Sequence, residues 1–525
     1  MPWSPPKRWR AVLPLAVVCL VGIWPHLYVL GLWPESRDAV IWITRGDPFS
    51  LGWPRWVLLS DHFVGWRPVT AFTYTLNGFF GWAAFPYRVT DLALHVGCAV
   101  LVDRVFRRWL PGLPRWGGLV AASALLVHPV ATLVVPHLAR RAYPLASLFG
   151  LLAILEVIRP VRRPWLIALF LALAAGSNES AFVLFPIAAW ILGERSEDRT
   201  RWIREIGPSI AAGGLLLVAR LLVTGGIGGY RTPGASFTDI GLSLGEGLVG
   251  GAVMRSDLPG LPAAVSAGSF VGAALLLLVP RIGMPSEASR ASAVCAGWIL
   301  ATVALFGTQG VYFPRQVYIL LPAFALLVGI ASAEAAVRTG VRRAALALGA
   351  AVAVSGAVWQ SPVWRGPDPL QQAVWRAHDH LVRDLVADLR ELPASAIVHA
   401  VLPTYRRPEM ESLRARALDE DRLQGRHAVT WASEVADVRF GDLALVGSDA
   451  RAGEPIGVLR EAPEGPAVLI PPGASIMWTD GVREPRETPE GTLIFFDSAS
   501  KPNRLPWLYL HDGQTGHLVS LREGT

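Results

Sequence analysis

The sequence predicts a polytopic α-helical membrane protein of about eleven transmembrane helices, followed by a C-terminal extracytoplasmic domain of α/β or α+β type. Three observations predict it. The 525 residues are 52% hydrophobic and only 17% charged, with a mean hydropathy of +0.40, which is too apolar for a soluble chain of this length. The apolar residues gather into runs approaching the roughly 20 residues that a helix needs to cross a hydrocarbon core of about 30 Å. Basic residues alternate in density from one intervening loop to the next. The composition excludes disorder, and no Gly-X-Y period, sustained heptad or long internal repeat points to collagen, coiled coil or solenoid.

The runs are 11–31, 87–106, 117–135, 142–158, 165–177, 180–193, 208–224, 263–280, 291–309, 316–333 and 343–358. The fifth and sixth are short, as in a helix pair broken in the middle. Lys7, Arg8 and Arg10 precede the first run as in a signal peptide, but no small-residue cleavage site follows Pro25, so a retained anchor is expected. With the N-terminus in the cytoplasm, nineteen basic residues fall in inner loops, among them Arg104, Arg159, Arg162, Arg195 and Arg290, against nine in outer loops. That is the positive-inside asymmetry of a protein in the inner (cytoplasmic) membrane. From Trp359 onward 18 basic residues face 24 acidic ones, a net −6, whereas the first 358 residues carry a net +13. The positive charge therefore sits in short loops between apolar runs, which argues for a lipid bilayer and against nucleic acid as partner. A total of 46 arginines against two lysines points to GC-rich coding and so to a bacterium.

Two domains follow: residues 1–358 as the membrane domain, with an outer loop at 32–65 and an amphipathic segment at 66–81 lying along the outer leaflet, and residues 359–525 as the extracytoplasmic domain. The tail opens with an amphipathic pattern, Leu370 to Leu392, and continues with the short apolar runs AIVHAVLP, DLALVG, AVLIPP and TLIFFD between Pro, Gly and charged residues. This reads as a helix leading into strands. Cys19, Cys98 and Cys295 all lie in apolar runs and are expected to pack as small core residues. His378, Asp379 and His380 point to different helix faces, so no metal site is expected there.

Ionisable groups within apolar runs cost several kcal/mol unless they face a cavity or a partner. Asp91 and His95 are four apart, on one helix face, and are expected to pair. His128, Glu179 and Arg315 fall near outer helix ends, and Arg220 lies within the seventh run. Together they point to an outward-facing site. In the first outer loop, Glu35 and Asp38 supply carboxylates able to deprotonate an acceptor hydroxyl.

Five segments, taken in order, carry a resemblance: WRPVTAFTYTLN, YRVTDLALH, HPVATLVVPHLARRAYPLASLF, SNESAFVLFP and FPRQVYILLP. Over about residues 10 to 350 the chain resembles the membrane region of the GT-C glycosyltransferases, near the tetratricopeptide-bearing O-mannosyltransferase-like proteins and the protein O-mannosyltransferases. The resemblance implies an inverting transfer of a sugar from a polyprenyl-phosphate-linked donor to a protein or glycan acceptor outside the cell. It implies that Glu35 or Asp38 is the base, that Arg67, Arg141 and Arg315 meet the donor phosphate, and that Asp91, His95, His128, Glu179 and Arg220 line the groove. No cofactor is required, and a divalent ion is left open only at Glu35 and Asp38. The chain departs from the family at Ser36, which replaces the second loop acid, and at Asp91, where Asn is usual. It departs again at Ala131 and Leu133, where His and Glu are common, and at Asn178, which replaces a Lys. The tail shows no tetratricopeptide repeat. A catalytically silent relative that binds lipid or a partner is therefore the alternative. A transporter is less favoured, because no inverted repeat is present.

Overall fold

The computed structural model describes residues 7–32, 39, 42–43, 46, 48–49, 52–59, 65–80, 84–196, 198–225, 237–248, 287–309, 313–359, 361–365 and 376, and the strand residues 396–401, 428–429, 458–462, 465–470, 486–495, 505–511 and 516–520. It divides into two units, one of Met1–Gly31 with Arg45–Pro369 and the other of Leu32–Thr44 with Leu370–Thr525.

The first unit is helical. Its helices are α1 (Lys7–Ile23), α2 (Trp53–Leu59), α3 (Pro68–Gly78), α4 (Ala84–Trp109), α5 (Trp116–Leu126), α6 (Ala142–Val157), α7 (Pro164–Ser177), α8 (Leu184–Arg195), α9 (Arg199–Thr224), α10 (Phe237–Leu248), α11 (Glu287–Gln309), α12 (Val317–Val337), α13 (Gly340–Trp359) and α14 (Pro362–Arg365). Ten of the eleven apolar runs coincide with helices, and the eighth, 263–280, lies outside the described residues. Among the described residues four helical stretches are long and apolar enough to cross a membrane: Leu138–Val157, Arg199–Thr224, Glu287–Thr308 and Val317–Val337.

One run ends earlier than expected, and the two short ones are separated as a broken pair. The run 117–135 is helical only to Leu126, because Pro129 cannot continue the hydrogen-bond ladder and the chain passes through His128 into a 3₁₀ turn at Pro129–Leu133. The short runs 165–177 and 180–193 form α7 and α8, separated by Asn178 in extended conformation and a 3₁₀ turn at Glu179–Val183.

α12 is the centre of the unit. It packs on α5, α11 and α13, and its residues from Val317 to Ala331 are all buried. A Cβ added at Gly329 would stand 2.5 Å from the carbonyl oxygen of Gly117, so the crossing with α5 depends on small residues that let the backbones approach.

The amphipathic segment expected at 66–81 is helical over eleven residues, Pro68–Gly78. Pro68 starts it, since proline fits the first helical turn and holds Arg67 outside the helix. Its polar side faces protein, burying Thr70, Tyr74, Thr75 and Asn77. Phe72 and Leu76, with Phe79 and Phe80 just beyond, are exposed, as suits a helix lying in an interface.

The second unit holds two four-stranded sheets. β1 (Ala396–Val401) pairs in parallel with β2 (Ala428–Val429) and β7 (Leu505–His511), and β8 (Gly516–Ser520) closes that sheet antiparallel to β7. The other sheet is antiparallel in the order β3 (Val458–Ala462), β4 (Gly465–Ile470), β6 (Gly491–Phe495), β5 (Arg486–Thr488). Three of the four apolar runs read in the tail are thus β1, β4 and β6. The fourth, DLALVG, and the helix expected from Leu370 lie outside the described residues.

Candidate functional site

The helices α6, α7 and α8 run between two polar ends. At one end stand Arg141, Asn178 and Glu179, and at the other Arg159, Arg162 and Arg195. The first end gathers most of the candidate residues.

Arg67 donates two hydrogen bonds to Glu179, from Nε to Oε2 at 2.9 Å and from Nη2 to Oε1 at 2.7 Å. This is the bidentate fork that guanidinium and carboxylate favour. Arg220 Nη1 adds a longer ion pair to Glu179 Oε2 at 3.9 Å. Burial pushes the Glu179 carboxyl up, but the charge and hydrogen bonds of Arg67 and the charge of Arg220 outweigh it and hold the group at about 2. Gly65 gives the cluster room, for a Cβ there would lie 3.3 Å from both Arg67 Nε and Glu179 Oε2. The Arg67 and Glu179 side chains remain 12% and 21% exposed, whereas Arg220 is 4% exposed.

Arg141 is different. Its Nε donates to Asp91 Oδ1 at 2.6 Å, Nη1 to Asn77 Oδ1 at 2.6 Å and to the Thr73 carbonyl at 3.3 Å, and Nη2 to the Tyr87 carbonyl at 3.0 Å. The guanidinium also lies 4.2 Å from the Tyr74 ring centre, and the side chain has no exposed surface. The expected Asp91–His95 pair does not form, because the full charge of Arg141 claims Asp91 more strongly than a neutral imidazole one turn away.

His95 instead shares a 2.7 Å hydrogen bond, through Nδ1, with the Tyr318 hydroxyl of α12. Its ring stands edge-on to that of His26 at 6.0 Å between centres. The Nε2 atoms of both histidines are buried without a hydrogen-bond partner among the described residues. His128 caps its own turn, accepting at Nδ1 from Val130 N, and its Nε2 donates to the Leu248 carbonyl at 2.8 Å, which fixes the tautomer. Arg315, in the 3₁₀ turn Pro314–Gln316, stacks 4.1 Å from the Phe313 ring centre and makes no hydrogen bond or ion pair with the described residues. Its turn packs beside Pro129–Leu133, where Ala131 and Leu133 stand in place of polar residues. Glu35 and Asp38 lie outside the described residues.

α3 stitches these groups together. Arg67 precedes it, Thr70 Oγ1 donates to the Ser177 carbonyl at 2.9 Å, Tyr74 donates to the Leu138 carbonyl, and Thr73 and Asn77 receive Arg141. Asn178, at the lysine position of the resemblance, uses its side-chain oxygen to accept from Ser180 N and Oγ at 3.0 and 2.5 Å, which makes it a turn cap. His26, Asn77 and Tyr318 are the members that the sequence reading missed. A histidine at the end of an apolar run is a legible signal for the first; the other two belong to ordinary helical strings.

In sequence the chain is 29% identical over 239 residues to a protein O-mannosyl-transferase of Caenorhabditis elegans, a match covering 42% of this chain and 34% of the relative. The resemblance to the protein O-mannosyltransferases is borne out in sequence. The chain spans about a third of that relative's length. No protein-family model matches it. Among solved structures it is similar to ArnT from Cupriavidus metallidurans bound to undecaprenyl phosphate, with a TM-score of 0.49 at 11% identity over 94% of this chain and 99% of that one. It is also similar to the oligosaccharyltransferase AglB from Archaeoglobus fulgidus, with a TM-score of 0.42 at 10% identity over 90% and 76%. A third is the arabinosyltransferase EmbB from Mycobacterium smegmatis, with a TM-score of 0.38 at 15% identity over 97% and 53%.

Proposed function

We propose that the chain is an eleven-span membrane glycosyltransferase that moves a sugar, with inversion, from a polyprenyl-phosphate-linked donor to a protein or glycan acceptor on the extracytoplasmic side. The tail and the loop 32–65 lie on that side in this reading, and the N-terminus lies in the cytoplasm. The observation that carries it is the gathering of guanidinium groups at the first end of the bundle: Arg67 and Arg220 both meet Glu179, and Arg315 stands in the turn that packs beside Pro129–Leu133. A lipid phosphate that loses its sugar becomes a dianion, and guanidiniums positioned in advance stabilise that charge as it develops. Arg315 supplies the donor contact, since its N–H groups are uncommitted among the described residues. Arg141 is a positioning residue in this scheme, because its N–H groups already hold Asp91, α3 and α4 together.

Glu35 or Asp38 acts as base, taking the proton from the acceptor hydroxyl as its oxygen attacks the anomeric carbon and the phosphate leaves. With this many arginines no metal is needed for the leaving group. The second reading, a silent relative, is favoured by Asn178, whose side chain is occupied in capping, and by Leu133 beside the turn of Arg315.

The test is transfer from a labelled polyprenyl-phosphate mannose by the purified chain. Glu35→Gln should bind donor normally and transfer about a hundredfold more slowly, the usual worth of a general base. Arg315→Lys should fold and lose about tenfold in donor affinity, since an ammonium cannot reproduce two parallel hydrogen bonds. Full activity in both Glu35→Gln and Asp38→Asn removes the base assignment. No transfer by the unaltered chain, with donor bound, establishes the silent relative.

A further inference from the structure

At the opposite end of the same helices, about 18 Å along the twelve residues of α8, lies a cavity of about 280 Å³ lined by Arg159, Arg162, Arg195, Arg290, Glu194 and Glu287, with Trp109 at its edge. The transfer reading makes no use of it. Two of its guanidiniums are fixed from behind. Arg159 donates to the buried Glu156 at 2.6 Å, and Arg162 donates to Glu205 at 2.6 Å and to the Val157 carbonyl at 3.1 Å. Glu194 is engaged by the indole of Trp190 at 2.7 Å.

The other two guanidiniums are weakly held. Arg195 reaches the Ile158 carbonyl at 3.2 Å and Glu287 at 3.3 Å, and that glutamate is half exposed. Arg290 is exposed and makes no hydrogen bond or ion pair with the described residues. Burial, only partly offset by Glu287, and the positive charges of Arg162 and Arg290 push Arg195 below its ordinary range. The lining is thus a concave cluster of four guanidiniums and two carboxylates, in which Arg159 and Arg162 are already paired with Glu156 and Glu205, while the loosely held Arg195 and Arg290 keep N–H groups to offer.

We infer that this cavity binds a phosphate group, with Arg195 and Arg290 closing on its oxygens beside the ion-paired and therefore fixed Arg159 and Arg162. Phosphate is the anion that suits it, because several guanidiniums share its oxygens through charge-assisted hydrogen bonds. Basic pockets between helix ends at a membrane face take lipid head groups by this chemistry. The bearer is a phospholipid head group or a free phosphate ester. Glu287 competes with it for Arg195.

The experiment uses the full chain in phosphatidylcholine nanodiscs. Glycerol 1-phosphate is titrated by calorimetry, and retention of phosphatidylglycerol over phosphatidylcholine is read by native mass spectrometry. Arg290→Gln and Arg195→Gln should each weaken binding about tenfold. Glu287→Gln should tighten it about threefold, which loss of a merely structural ion pair would not do. Arg290→Gln keeps the test valid if Arg195→Gln misfolds, because its side chain holds nothing else among the described residues. Saturable glycerol 1-phosphate binding without lipid preference assigns a free phosphate ester, whereas phosphatidylglycerol retention that is lost in the variants assigns a head group. Absence of both, or equal binding in the unaltered chain and all three variants, overturns the inference. Donor transfer is measured separately, so either result leaves the transferase reading standing or falling on its own test.

Discussion

The two ends of the helix bundle hold their charges in opposite ways. At the first end the partners come from distant parts of the chain: Arg67 with Glu179, Arg220 with Glu179, Arg141 with Asp91. At the other end four pairs are made within one helix or turn, at spacings of three or four, Arg107 with Asp103, Arg159 with Glu156, Arg201 with Glu205 and Arg338 with Glu334, beside the longer-range Arg162 with Glu205 and Arg195 with Glu287. The long-range pairs of the first end tie elements together and are largely shielded from water, while the arginines of the local pairs sit partly in solvent on elements that already form. Position, more than number, decides what an ion pair does here.

Asp91→Ala should expose the contrast most sharply. It leaves Arg141 buried without its carboxylate and is expected to cost about 3 to 5 kcal/mol, read as a loss of unfolding free energy in detergent. Replacing both partners, Asp91→Leu with Arg141→Met, should cost less than either single change, because no uncompensated charge remains. A double variant as unstable as the sum of its parts would show that Arg141 works through Asn77 and Tyr87 more than through Asp91.

The Arg67–Glu179 pair should show itself in acid. The native carboxyl sits at about 2 against an ordinary 4.5, so its contribution is complete above pH 4.5 and is lost as pH falls from there toward 2. Glu179→Gln should flatten that acid limb of the stability profile while leaving the slope above pH 4.5 unchanged. An acid limb identical in both proteins would place the coupling elsewhere. The smallest effect is expected at the other end. Arg201→Ala removes a pair four residues apart whose arginine is 54% exposed and whose Glu205 keeps its bond from Arg162, and stability should change by about 0.5 kcal/mol or less.

The same division explains what was legible in the sequence. Periodicity and length placed ten of the eleven apolar runs, because hydrophobic burial acts through local composition. Spacing arguments also reach local pairs. They fail at Asp91, where four residues separate it from His95 but the stronger partner lies fifty residues away. They fail again at α3, whose apolar side chains point outward while Thr70, Tyr74 and Asn77 turn inward to meet Ser177, Leu138 and Arg141. Arg67 was reached through resemblance, and Glu179 and Arg315 already through their places near helix ends; that Arg67 and Glu179 clasp one another became visible only in three dimensions. In the tail, LPWLYLH and GHLVS form β7 and β8 although neither was read as a strand; Trp507 and Tyr509 alternate in the first and Val519 is the one β-branched residue of the second, but proline and glycine at their starts masked them.

One consequence of α12 concerns how the protein is made. In its most apolar window 89% of residues are buried inside protein, against 17% for α9, yet α12 is the more hydropathic of the two. Its greasiness is therefore spent on admission to the bilayer during synthesis, after which neighbouring helices replace lipid around it. α9 keeps its acyl-chain surroundings for the life of the protein. Substitutions on α12 are consequently constrained by fit between side chains, like those of a soluble core, whereas on the exposed face of α9, away from Glu205 and Arg220, any sufficiently oily residue serves.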